Sequence, residues 1–242
     1  MKKGTLYGIG IGPGDPDLIT LKAVKVIAAC RHVFVPKSKE DSESLALNIS
    51  RAHIHPNAQV HEILFPMTSD KEVLDKSWDD AAHSILRVLE TGEDACFLTL
   101  GDAFLYSTYI YLLRRLRKLQ PHVDVVTVPG VTAFSAAAAA AECPLGQGKE
   151  SLIIVPTADD LEEMKRAVRS DGTVVLMKIG KRLERVLEVL DDENALHRSV
   201  FVSRVGLKGE RVVNDLRSMR LEAPDRGYLS TMIVKSAKGE DA

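Results

Sequence analysis

Short apolar runs suited to buried strands alternate with longer amphipathic stretches along most of the chain. Residues 5–11 form an apolar run that ends in glycines. From Leu18 to Cys30, the residues Leu21, Val24, Ile27 and Ala28 fall on one helical face, which predicts a helix that buries that face. Residues 33–35 predict a second strand, followed by a polar turn and a helix over residues 42–52. Residues 60–65 read as a strand, and the long helix after them carries one stripe of Leu74, Trp78, Ala81, Ala82, Ile85 and Leu89. Residues 95–100 predict a further strand. Residues 107–119 predict a helix with Tyr109, Leu112, Leu113 and Leu116 inward, and with Arg114, Arg115, Arg117 and Lys118 on a solvated outer face.

This alternation implies parallel strands joined by right-handed crossovers, and hence an α/β sheet covered on both faces. Gln120-Pro121-His122 marks the expected domain boundary, dividing the chain into residues 1–121 and 122–242. Beyond it, residues 123–128, 152–155, 174–177 and 200–205 read as strands with helices between them. Asp159 with Glu162 three residues on predicts a capped helix start. Residues 211–214 and 229–234 read as strands with no helix separating them, so a mixed sheet is expected in the second half. The alanine run from Ala136 to Ala141 suits close packing of a helix on a sheet.

A chain of 242 residues and 26.5 kDa corresponds to about one or two domains. With 32 basic and 34 acidic residues it lacks the basic excess of a nucleic-acid binder, although a local basic pocket for acidic substrates remains open. Cys30, Cys96 and Cys143 are widely spaced and form no CxxC pair, so they predict buried thiols rather than a zinc site or a disulfide framework. No apolar run reaches the length of a membrane span, and Met-Lys-Lys leads into a glycine turn without a secretory apolar region. A cytoplasmic protein without membrane or nucleic-acid partners is expected.

The first glycine-rich loop runs Gly8-Ile-Gly10-Ile-Gly12-Pro13-Gly14-Asp15-Pro16. A dinucleotide-binding turn needs a helix opening at its third glycine and an acidic residue closing the second strand. Here two prolines stand where that helix would open, and the second strand ends Val33-Phe34-Val35-Pro36, so a dinucleotide fold is rejected. Gly146-Gln147-Gly148-Lys149-Glu150 lacks the earlier glycine and the hydroxyl residue of a phosphate-binding loop, which is rejected too. Two further loops, Leu100-Gly101-Asp102-Ala103-Phe104-Leu105-Tyr106-Ser107-Thr108 and Val128-Pro129-Gly130-Val131-Thr132-Ala133-Phe134, lie at the carboxyl ends of expected strands, where open α/β sheets bind ligands. His53 and His55 sit in a polar loop and read as surface residues, and no Ser-His-Asp constellation or paired-carboxylate cleft can be assembled by spacing.

Taken in order, the first loop with Leu18-Ile-Thr-Leu-Lys-Ala23, then Gly101-Asp102, Pro129-Gly130-Val131-Thr132-Ala133 and Met177, resembles the tetrapyrrole (corrin and sirohaem) methyltransferases over nearly the whole chain. Val35-Pro36-Lys37-Ser38, Tyr106-Ser107-Thr108 and Tyr228-Leu-Ser-Thr231-Met-Ile-Val resemble the branch that methylates C-20 of the macrocycle in cobalamin synthesis. The chain departs from that pattern at Ala103, where the family has proline; the change removes a turn constraint and no functional side chain.

The resemblance implies a two-domain homodimer with an N-terminal mainly parallel sheet, a C-terminal mixed sheet and an active site in the cleft between the domains. It implies S-adenosylmethionine as methyl donor. Gly101, Asp102, Leu105 and Tyr106 would lie at its methionine part, Thr132 and Ala133 beside it, and Met177, Val205 and Thr231 around the adenosine. Pro13 and Asp15 would line a trough for the tetrapyrrole, and Lys37 would orient that polycarboxylate, with Arg31 and Arg204 as weaker candidates. No protein-bound metal is implied, since any cobalt arrives inside the substrate. No catalytic base is assigned; Tyr106 and Asp15 are the residues to consider. The branch implies methylation of cobalt-factor II. Metal-free precorrin-2, another tetrapyrrole, a protein acceptor as in diphthine synthesis, and a non-catalytic carrier role remain alternatives.

Overall fold

The computed structural model describes residues 3–38, 43–66, 68, 70–156, 160–219 and 227–237. The chain divides into two compact units, Met1–Thr132 and Ala133–Ala242.

In the first unit the elements run β1 (Leu6–Gly10), α1 (Leu21–Ala29), β2 (His32–Lys37), α2 (Leu45–Ser50), β3 (Gln59–Leu64), α3 (Lys71–Glu90), β4 (Ala95–Thr99), α4 (Thr108–Leu119) and β5 (Val125–Val128). The strands form one sheet in the order β3-β2-β4-β1-β5, parallel throughout. The pleat sorts β4 onto two faces. Ala95 and Phe97 join Leu6 and Phe34 in a core closed by Ala81, Ala82, Ile85 and Leu89 of α3 and by Tyr109, Leu112, Leu113 and Leu116 of α4. Cys96 faces the other way, beside Cys30 at the end of α1, and that neighbour together with burial raises its pKa. All three cysteines are free and buried, as their apolar surroundings predict.

Several expectations need correction. The boundary lies at Thr132 rather than at Pro121, because β5 pairs with β1 from Leu6↔Val125 to Ile9↔Val128 and so completes the first sheet. In α1 the buried residues are Ala23 and Ile27, followed by the C-cap Cys30, whereas Leu21 is 79% exposed. Thr20 caps that helix through the Ala23 N–H, and the buried Ala23, Ile27 and Cys30 form one stripe, with Leu21 and the exposed Ala28 on the opposite side. The α4 cations are not all solvated, since Arg115 pairs with Asp75 at 3.2 Å and Asp79 at 2.8 Å on α3.

The second unit contains α5 (Ala133–Ala140), β6 (Ser151–Pro156), α6 (Leu161–Val168), β7 (Gly172–Met177), α7 (Leu183–Asp192), β8 (Ser199–Ser203), β9 (Arg211–Val213) and β10 (Ser230–Val234). Its sheet has the order β6-β7-β10-β8-β9, with β6 and β7 parallel and the other pairs antiparallel, so it is mixed. The alanine-rich α5 packs against β10, where small side chains allow a close approach. The N-cap of α6 is Asp160, whose Oδ1 accepts the Glu162 and Glu163 N–H groups; Asp159 lies outside the described residues, as does Ser42 at the expected start of α2. Among the described residues no helix is long and apolar enough to cross a membrane.

Candidate active site

Parallel pairing brings the loops after β4, β1 and β5 to the carboxyl ends of three adjacent strands. Gly12 and Gly101 form an antiparallel bridge, with Gly101 N donating to Gly12 O at 2.7 Å and Gly12 N to Gly101 O at 3.2 Å. The third loop closes on this pair. A Cβ on Gly130 would stand 2.2 Å from Gly101 O, and one on Gly10 would stand 2.7 Å from Gly130 N. The three loops therefore touch backbone to backbone, which only glycine permits.

Asp102 fastens the arrangement. Its Oδ1 accepts the Phe104 N–H at 2.8 Å and its Oδ2 accepts the Gly130 N–H at 3.0 Å, so one carboxylate ties the second loop to the third. Ala103 is fully buried, and its carbonyl accepts the Ser107 hydroxyl. That bond restrains the turn at Ala103. Gly101 itself is different from its neighbours: it holds φ at 70°, and a Cβ there would meet nothing within 4 Å. The backbone at that position faces open space. Beside it, Leu105 is half-buried and Tyr106 is 37% exposed with φ at 51°.

The other expected residues of the first unit separate into distinct environments. Pro13 is buried, and Asp15 caps a 3-10 turn by accepting the Asp17 N–H at 2.9 Å. Lys37 ends β2 and pairs with Glu62 at 3.4 Å. Arg31 precedes β2, so the sheet's direction places it at the amino end, away from the three loops. There it lines a polar recess with His32, Asn57, Gln59 and Glu93. His32 links Glu93 to His61 by contacts of 3.0 Å each, and burial first, then His32, lowers the His61 pKa. Thr132 follows the third loop at the end of the first unit, and Ala133 opens α5. Both are half-buried.

In the second unit, strand register brings Met177, Val205 and Thr231 to one end of the mixed sheet. Thr231 of β10 pairs with Met177 of β7, and Ser230 pairs with Ser203, two residues before Val205. Thr231 and Val205 are buried and Met177 is half-buried. Left-handed backbone also collects at this end. Lys178, Arg204 and Leu229 have φ values of 56°, 55° and 55°. Each such residue costs about 1–2 kcal/mol relative to an ordinary conformation, and strain of this kind clusters at ligand sites. Glu142 and Asn194 share the conformation for a simpler reason, since each lies just past a helix whose carbonyls accept the next N–H, Cys143 N to Ala138 O and Ala195 N to Leu190 O. No helix ends at Lys178, Arg204 or Leu229, and without glycine or asparagine there the sequence carries no signal of these turns.

Residues 5–219 match the family described as Tetrapyrrole (Corrin/Porphyrin) Methylases. The chain belongs to this family. Among its relatives, the cobalt-precorrin-2 C(20)-methyltransferase of Salmonella typhimurium is 32% identical over 231 residues, covering 96% of both chains. A chain of Methanocaldococcus jannaschii named "Probable cobalt-precorrin-2 C(20)-methyltransferase" is 35% identical over 234 residues, again covering 96% of both. The solved structure of the cobalt-precorrin-4 methyltransferase CbiF superposes with a TM-score of 0.70 at 22% identity, covering 96% of this chain and 94% of that one, a likeness of fold. For this tetrapyrrole methylase the three-loop arrangement and the strained sheet end are the two regions that fit a ligand-binding role. Among the described residues no group of three or more His, Cys, Asp or Glu side chains is placed to hold a metal ion.

Proposed function

We propose that this tetrapyrrole methylase transfers a methyl group from S-adenosylmethionine to C-20 of a cobalt-containing tetrapyrrole, cobalt-factor II or cobalt-precorrin-2, in cobalamin biosynthesis. The observation that carries the methyl-transfer reading is the open left-handed Gly101, framed by glycine-packed loops and braced by Asp102. The choice of carbon and of a cobalt-bearing substrate is supported by the names of the two relatives at 32% and 35% identity.

When bound, S-adenosylmethionine supplies an electrophilic methyl group on a sulfonium centre. The residues of this chain supply position. Gly101, with no side chain in the open space, lets the backbone approach the methionine part closely. Asp102 keeps a negative charge near that part while its two oxygens hold the loops in register, so the fixed dipoles need no rearrangement during reaction. Leu105 and Tyr106 exclude water from one side, with Thr132 and Ala133 beside them. On the second unit, Met177, Val205 and Thr231 offer a largely apolar surface to adenosine. Pro13 and Asp15 are assigned to the tetrapyrrole, the former as an apolar wall and the latter through its turn. Lys37 is assigned to a substrate carboxylate in exchange with Glu62. Direct methyl displacement depends chiefly on alignment, so no base is assigned.

The test is a paired anaerobic turnover assay with purified protein. One arm contains cobalt-factor II and the other metal-free precorrin-2. Faster formation of S-adenosylhomocysteine and of a methylated product in the cobalt arm is expected. Preference for the metal-free arm would transfer the assignment to the cobalt-late route. Binding of S-adenosylmethionine without methylation of either substrate would remove the C-20 assignment, and turnover of a protein acceptor would replace it.

A further inference from the structure

Lys178 and Arg204 carry the strain described above at the ends of β7 and β8, with β10 lying between those strands. The pairs Thr231↔Met177 and Ser230↔Ser203 put the two cations at one end of the sheet, on either side of the start of β10. Two strand spacings set their backbones about 10 Å apart. Both residues are exposed. The Arg204 turn is firmly built: Nε donates to Lys208 O at 2.9 Å, Leu207 N donates to Arg204 O at 2.9 Å, and Gly206 N donates to Glu210 Oε2 at 2.7 Å.

The segments that follow β7 and β8 are rich in cations in a chain whose net charge is -2. Residues 178–182 and 204–210 contain Lys178, Lys181, Arg182, Arg204 and Lys208, against Glu210 as the one carboxylate. Glycine or asparagine would adopt the left-handed turns at lower cost, so retaining lysine and arginine at both points to a use for their side chains. A cofactor with a cationic sulfonium gains nothing from five nearby cations. A polycarboxylate does.

We propose that Lys178 and Arg204 form a two-point clamp that binds two carboxylates of the tetrapyrrole and so sets the orientation of the macrocycle. This rests on the proposed tetrapyrrole substrate and adds positioning residues to it.

The test replaces each residue by glycine, singly and together, because glycine removes the charge and relieves the backbone at once. Each single variant is expected to raise KM for the cobalt tetrapyrrole about tenfold, and the double variant about a hundredfold, the scale of losing one and two charge-assisted hydrogen bonds. The kcat at saturation, the affinity for S-adenosylhomocysteine by calorimetry, and the melting temperature are expected to stay near wild type. Salt should weaken substrate binding by the wild-type protein more steeply than by the double variant, which keeps Lys37 as its remaining carboxylate partner. Lys178→Asn and Arg204→Asn, which also tolerate the turn, replace any glycine variant that fails to fold. An unchanged KM in the double variant, with the wild type active, would overturn the clamp and leave the methylase reading standing. A parallel loss of S-adenosylhomocysteine affinity would also overturn it by assigning the pair to the cofactor. Failure of the wild type to bind or methylate any tetrapyrrole would overturn both.

Discussion

Gly101→Val is expected to abolish S-adenosylmethionine binding while leaving the protein folded. A Cβ at this position meets no protein atom within 4 Å, so the branched side chain would enter open space rather than the core. The backbone cost is real but limited, because a non-glycine residue at a φ of 70° loses about 1–2 kcal/mol against a typical stability of about 5–15 kcal/mol. The cofactor bears the larger penalty. A valine filling the space assigned to it should weaken binding at least a hundredfold, or about 2.8 kcal/mol. Calorimetric titration with S-adenosylhomocysteine, alongside a thermal melt, separates the two effects. Unchanged affinity would remove the cofactor from this loop.

Gly130→Ala should behave in the opposite way, through the fold. Its new methyl group would lie 2.2 Å from Gly101 O and 2.7 Å from both C and O of Gly10, all backbone atoms. No side chain can swing aside, so the loops after β1, β4 and β5 must part and the Asp102 to Gly130 bond must stretch. A loss of about 3 kcal/mol is expected, which lowers the melting temperature by roughly 10 °C in a chain of this size. Cofactor binding should fall with it. Gly148→Ala is the matched control: its φ is 58° with nothing within 4 Å of a Cβ, so only the backbone cost of about 1 kcal/mol applies. Equal melting temperatures for the two variants would show that the loop contact does not support the fold.

Much of this architecture is legible in the pattern of apolar residues, because most strands of both sheets are short runs buried on two faces. The inward set Tyr109, Leu112, Leu113 and Leu116 of α4 follows from helical spacing alone, and all four are buried. The mixed second sheet follows from the sequence pattern, in which residues 211–214 and 229–234 read as strands with no helical pattern between them. Long-range pairing is harder to read. The Gln120-Pro121-His122 turn has the composition of a linker, yet β5 beyond it returns to β1. The stripe assigned to α1 fails at Leu21 and Ala28, since the buried face runs instead through Ala23, Ile27 and Cys30. At the site, the glycines announce loops in which backbones touch. The two hydrogen bonds accepted by Asp102 and the left-handed Lys178 and Arg204 do not show in the sequence, because they depend on which strand ends the topology places side by side.

The regiochemistry of methyl transfer decides whether this protein is a C-20 methylase. The protein would be incubated anaerobically with cobalt-factor II and S-adenosylmethionine carrying a carbon-13 methyl group, and the product examined by nuclear magnetic resonance after removal of cobalt. One labelled methyl group, attached to C-20, is expected. Label at any other carbon, or none in the macrocycle while S-adenosylmethionine is bound, would contradict it.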